Sequence, residues 1–187
     1  MTVLEKQDSR SDEELFEAWR RGETASFENL LARYQGRLYK VILGWTRNPH
    51  LSQDLFQETW TRVIEHLEDF DRQRRFSPWV FSIALNLTRD HFRKEGRNKT
   101  DADTDAVEAT RGETDMDQRL VEKEQAARLS QALASLSDLE REVFMLRHFS
   151  GLSFRQIAAM LKINLNTALS RMHQALDTLK KTVGEEL

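Results

Sequence analysis

Apolar residues recur every three or four positions along most of the chain, with short polar interruptions, and this spacing predicts helices throughout. Leu15, Phe16 and Trp19 follow a capping box at Ser11 and Glu14, whose side chains can each satisfy the other's backbone N–H. Phe27, Leu30, Leu31, Tyr34, Leu38, Val41, Ile42 and Trp45 form the stripe of a long second helix, which Asn48-Pro49 ends. A third helix is expected over Leu51–Leu67, with Leu55, Phe56, Val63, Ile64 and Leu67 apolar. A charged loop, Phe70–Phe76, follows. Ser77 as N-cap and Pro78 at the first helical position then predict a helix to about Arg93, with Val80, Ile83, Ala84 and Leu87 facing a core.

The second half has the same texture. Leu120–Leu136 reads as an amphipathic helix. A capping box at Ser137 and Glu140 opens another through Val143, Phe144, Leu146 and Phe149, and Gly151 breaks it. Ser153 and Gln156 form a third box, ahead of Ile157, Met160 and Leu161. Small Ala158 and Ala159 allow close approach of a neighbour. Lys162-Ile163-Asn164 interrupts the pattern, and a new helix starts near Asn164 or Asn166, both good N-caps. Its buried stripe is Ala168, Met172, Ala175, Leu176 and Leu179. Two short helices joined by a tight turn outline a helix-turn-helix. Thr167, Ser170, Arg171, His173 and Gln174 fall off the stripe, and such side chains can reach base edges or phosphates. An αα-hairpin in a helical core fits the same pattern.

Residues 97–117 lie between these halves. They are rich in Asp, Thr and Ala, with one isolated Val107, and cannot bury enough apolar surface to order themselves. The expected architecture is therefore all-α. It comprises a helical domain over 1–96, an acidic flexible linker over 97–117, and a helix-turn-helix domain over 118–187.

Composition removes several chemistries. The 187 residues include no Cys, so disulfides and thiolate metal sites are excluded. The 5 His show no metal-ligand spacing, and neither a Gly-rich phosphate loop nor a nucleophile elbow is present. No catalytic residue, metal, cofactor or small-molecule substrate is expected. No apolar run is long enough to span a bilayer, the first residues do not resemble a signal peptide, and a reducing cytoplasm is the expected location. The net charge is −3. Residues 97–118 hold 3 basic and 7 acidic side chains, whereas residues 119–187 hold 10 and 8. Unaided DNA binding relies on neutralising phosphates, so an acidic chain needs a partner to bring it to DNA.

Two faces of the first domain carry more than solvation requires. On the third helix, Asp54, Gln57, Glu58 and Thr61 form a polar face with Trp60 near its border, a combination suited to binding protein. On the fourth, Trp79, Ser82, Asn86, Arg89 and Arg93 lie in line. An aromatic ring, an amide and guanidinium groups in a row suit unstacked bases and their backbone. A solvated face with one half-buried Trp is the equal alternative.

Three blocks resemble the extracytoplasmic-function (ECF) group of bacterial sigma factors. They are DLFQETW from Asp54 on to Val63, FSPWVFSIALN from Phe76 on to Asp90 and Arg93, and LSDLEREVFMLR from Leu136 followed by Gly151-Leu152-Ser153 and Ile157-Ala158. The resemblance implies that Asp54, Leu55, Gln57, Glu58 and Trp60 dock on core RNA polymerase. It implies that Trp79, Ser82, Asn86, Arg89 and Arg93 open and read the −10 promoter element as a single strand. The loop carrying Phe70, Arg72, Arg74 and Arg75 would hold a flipped base. Arg155, Asn166, Thr167, Leu169, Ser170, Arg171, His173 and Gln174 would meet the −35 duplex. An anti-sigma factor is the further partner implied, and any membrane association would run through it. Such a protein is a specificity subunit rather than an enzyme.

The chain departs from the family's usual recognition helix. Leu169 and Gln174 stand where cations are common, Asn166 stands for Gly, and on the −10 helix Leu85 stands where Arg is frequent. Two other readings compete. An autonomous helix-turn-helix regulator would bind duplex DNA alone, and a sigma-like adaptor would bind only protein.

Overall fold

A computed structural model describes residues 8–71, 74–98 and 132–183. The predicted linker, Arg72 and most of the Leu120–Leu136 helix lie outside the described residues. Among the described residues the complete α-helices run in order: α1 (Asp12–Arg20), α2 (Thr24–Thr46), α3 (Pro49–Glu65), α4 (Phe76–Asn98), α5 (Asp138–Met145), α6 (Phe154–Leu161) and α7 (Leu165–Val183). A π-helical turn, Leu146–Ser150, continues α5. No strand occurs among the described residues.

The local signals fix most helix ends. All three capping boxes form, at Ser11 with Glu14, Ser137 with Glu140, and Ser153 with Gln156. Asn48 accepts from the Leu51 N–H at 3.1 Å and Pro49 opens α3. Arg47 takes the left-handed conformation that ends α2. Asn164 accepts from the Thr167 N–H at 2.7 Å, so it starts α7 rather than Asn166. Lys162 and Gly151 supply the left-handed turns on either side of α6.

One cap comes from tertiary structure. The fourth helix begins at Phe76, a residue before the expected Ser77 cap, and the Phe76 N–H donates to the Glu13 carboxylate of α1 at 3.2 Å. Two predicted core positions are also revised. Ile64 is 50% exposed and Leu176 39% exposed. Each sits about 100° round its helix from a fully buried neighbour, Val63 or Ala175, and so falls past the edge of the packed arc.

Helix α2 is the axis of the molecule. Leu30, Tyr34, Leu38, Val41 and Ile42 are wholly buried along it. One side packs on α1, α3 and α4, and another meets α5 and the π-helical turn. The Tyr34 hydroxyl donates to the Asp12 carboxylate, and burial together with that carboxylate pushes the phenol's pKa up. Leu15, Phe16, Phe76 and Phe81 close the N-terminal core. Val143, Leu146, Ile157, Ala168 and Ala175 are wholly buried in the smaller C-terminal core. Arg141 ties its entry together: the buried guanidinium donates to the carbonyls of Leu133 at 2.9 Å and Leu136 at 2.6 Å. That burial lowers its pKa, with repulsion from Arg47 adding to the effect.

Candidate nucleic-acid and protein interfaces

The predicted faces divide sharply into surface and scaffold. On α3, Asp54, Gln57 and Thr61 are exposed and Glu58 is partly so. They fall within roughly 100° of one another round the helix. Glu58 pairs with Arg62 one turn on, at 2.9 Å. Leu55 and Trp60, expected as contacts here, point inward instead, 7% and 5% exposed. The Trp60 ring meets Phe27 edge-on at 5.6 Å and Phe56 at 6.4 Å. Both residues hold the acidic face in place rather than forming it, because the other side of α3 must bury apolar area against α2.

On α4 the line of Trp79, Ser82, Asn86, Arg89 and Arg93 spans roughly 80°. Asn86, Arg89 and Arg93 are exposed. Asn86 makes no hydrogen bond among the described residues. Ser82 is half-buried and turns its hydroxyl to the Trp79 carbonyl at 2.7 Å. Trp79 is half-buried on an aromatic bed, with ring centres 4.7 Å from Phe70, 5.8 Å from Phe16 and 5.9 Å from Phe76. A ring fixed at its base and open at its rim can stack a base without first losing side-chain freedom. Phe70, predicted as a contact, is itself that bed, 7% exposed. In the following loop Arg74 and Arg75 are exposed, and Arg74 lies 3.5 Å from Asp71. Leu85 is 2% exposed, so its departure from the usual cation removes nothing from this surface.

On the helix-turn-helix, Asn166, Ser170, His173 and Gln174 are exposed and Thr167 and Arg171 half-buried along the first turns of α7. Ala168 and Ala175 on the opposite side let α6 and α5 approach closely. Leu169 is 44% exposed and stands at the edge of the polar sector. Arg171 is the one side chain from Asn166 to Gln174 that carries a permanent positive charge. His173 lies 3.4 Å from Asp177. Exposed Arg155 on α6 and Lys162 in the turn add two cations. Lys162 was not singled out from sequence, where it read only as part of a helix break. No group of residues among those described could hold a metal ion. No helix among them is long and apolar enough to cross a membrane.

An exposed acidic face, an aromatic-amide-guanidinium line and a helix-turn-helix on one helical protein fit a reader of nucleic acid that works beside a protein partner. The comparisons with known proteins name that class. Residues 30–98 match the family model for Sigma-70 region 2, and residues 126–179 the one for Sigma-70, region 4. ECF RNA polymerase sigma factor SigW of Bacillus subtilis is 30% identical, over 89% of this chain and 93% of its own. RNA polymerase sigma factor CarQ of Myxococcus xanthus is 31% identical, over 90% and 95%. Among solved structures, CnrH in complex with the cytosolic domain of CnrY aligns at TM-score 0.68 and 24% identity, over 94% of this chain and 99% of that one. Sigma factor RpoE, in complex with the anti-sigma factor NepR from Bartonella quintana, aligns at 0.69 and 22%, over 84% and 96%. The chain belongs to the sigma-70 family, in its ECF group, and is a transcription-initiation factor.

Proposed function

We propose that the chain binds core RNA polymerase through Asp54, Gln57 and Glu58, reads and opens the −10 element with α4, and docks α7 in the major groove at −35. The domains would be 1–96 and 118–187, with 97–117 as the tether. Tethering makes the second contact intramolecular, so two weak binders become one selective one. It acts as a specificity subunit with no catalytic residues of its own, in the cytoplasm, under an anti-sigma factor that covers these same faces. Membrane association would come only through that factor.

The observation that carries this reading is the α4 line. Trp79 is anchored on Phe70 while exposed Asn86 makes no hydrogen bond among the described residues and exposed Arg93 pairs with Asp90 on the same helix at 2.9 Å, an arrangement with no packing role. Run-off transcription with purified core polymerase tests it. Promoter-specific transcripts that require this protein support it. Tight duplex binding without polymerase would favour the autonomous regulator, and partner binding with neither activity the adaptor.

A further inference from the structure

Near the end of α2, Trp45 is 7% exposed, and its indole Nε1–H is buried with no acceptor among the described residues. A buried donor left unpaired is destabilising, and an acceptor beside it recovers that loss. Two positions on, Arg47 ends the helix in the left-handed conformation, φ 54°, where glycine would sit without strain. Its guanidinium makes no hydrogen bond or ion pair among the described residues. Both residues line a cleft of about 350 Å³, at the small end of the roughly 300–1,000 Å³ usual for ligand sites. Leu85 and Phe92, two turns apart on α4, add apolar carbon to its wall. The remaining wall is charged. Arg89 donates to both carboxylate oxygens of Glu142, at 3.0 and 2.7 Å. Arg141 pairs with Asp138 at 3.0 Å, but the Asp138 side chain is 91% exposed, so water screens that pair. Three guanidiniums therefore face two carboxylates, which leaves the cleft one positive charge. Arg141 registers the imbalance: its pKa is lowered first by burial and then by repulsion from Arg47.

We propose that this cleft is a binding site for a small organic monoanion, a carboxylate carried on a flat apolar body. The carboxylate would accept from the Arg47 guanidinium and from the Trp45 Nε1–H, with the apolar body against Leu85 and Phe92. Three features together select this chemistry. The surplus of one positive charge calls for one negative charge. The unpaired indole donor calls for an acceptor rather than a further donor. The apolar walls call for a body that a bare inorganic anion lacks, and burying it supplies affinity that the charge alone does not. A nucleic-acid phosphate answers the charge but not the walls. Of the residues lining the cleft, Arg89 alone belongs also to the α4 line, and promoter reading makes no use of Trp45, Arg47 or Arg141.

Cinnamate is the probe, with cinnamamide as its neutral counterpart and acetate as the charge without the apolar body. The full-length chain has 4 tryptophans, so an isotope-labelled sample gives an indole N–H resonance for each, and Trp45→Phe identifies the one to follow. Cinnamate should move the Trp45 resonance saturably and downfield, as the N–H gains an acceptor, with a dissociation constant in the millimolar range or below. Cinnamamide and acetate should each bind about tenfold more weakly. Arg47→Gly removes the free cation and suits the left-handed backbone. It should keep the melting temperature and weaken cinnamate about tenfold, with cinnamamide unaffected. The absence of a saturable shift at Trp45 would overturn the proposal. So would equal affinities for cinnamate and cinnamamide, acetate binding as tightly as cinnamate, or an Arg47→Gly variant that binds cinnamate like the native chain. The comparison of acid with amide uses the native chain, so it decides the matter whether or not a variant folds.

Discussion

Asn86→Ala is the cleanest test of the α4 surface, because the residue does nothing else. It is exposed and makes no hydrogen bond among the described residues. Alanine is the better helix former by a few tenths of a kcal/mol, so the fold should be unchanged or slightly more stable. An asparagine that bridges a base edge is worth about 1–3 kcal/mol of recognition. The substitution should therefore lower open-complex formation by roughly 5- to 150-fold. The assay is permanganate reactivity of unpaired thymines, with core polymerase on a promoter that gives a run-off transcript with the native protein. Affinity for core polymerase serves as the control and should not move. Trp79→Ala gives the contrast: its ring packs on Phe16, Phe70 and Phe76, so opening should fail while thermal stability also drops by about 2–3 kcal/mol. Normal opening by Asn86→Ala would refute the reasoning, because no structural effect of the change could mask a lost contact.

Asp54→Ala with Glu58→Ala should weaken binding to core polymerase about tenfold with little change in Tm, since both lie on the α3 surface and the Glu58–Arg62 pair is exposed; titration with labelled core measures it. Leu169→Lys should tighten promoter binding and steepen the salt dependence by about one counterion, read from affinity against salt concentration. Ser153→Ala removes the α6 capping box and should cost about 1 kcal/mol, or about 2–4 °C in Tm by calorimetry. Acid should loosen the N-terminal helix first. Arg10 hydrogen bonds hold the Asp8 carboxyl down to about 2 and lower that of Glu23, and the Ser11 cap lowers that of Glu14. Depressed carboxyls stabilise the fold above their unfolded pKa, and that contribution is lost as pH falls from about 4.5 toward 2. Amide hydrogen exchange over α1 should report the change before global unfolding.

Local chemistry was legible in the chain. Capping boxes, Asn48-Pro49 and Gly151 act over three or four residues, so the sequence located the helix ends they govern, and the spacing of Phe27 to Trp45 gave the buried stripe of α2. The order of the three sigma-like blocks was equally readable. Whether a residue on the edge of a stripe faces in or out was not. Trp60, Phe70 and Ile64 exchange their expected places because the width of each packed arc depends on which neighbour covers it. The Glu13 cap on Phe76, the Arg37 bonds to Phe149 and Ser150, and the Arg89–Glu142 pair join residues between 53 and 113 positions apart. No periodicity encodes such pairs. Sequence alone determined the helices and the chemistry they carry. Tertiary packing decided which of those groups stay free to meet DNA, because burial and pairing belong to the assembled surfaces of several helices at once.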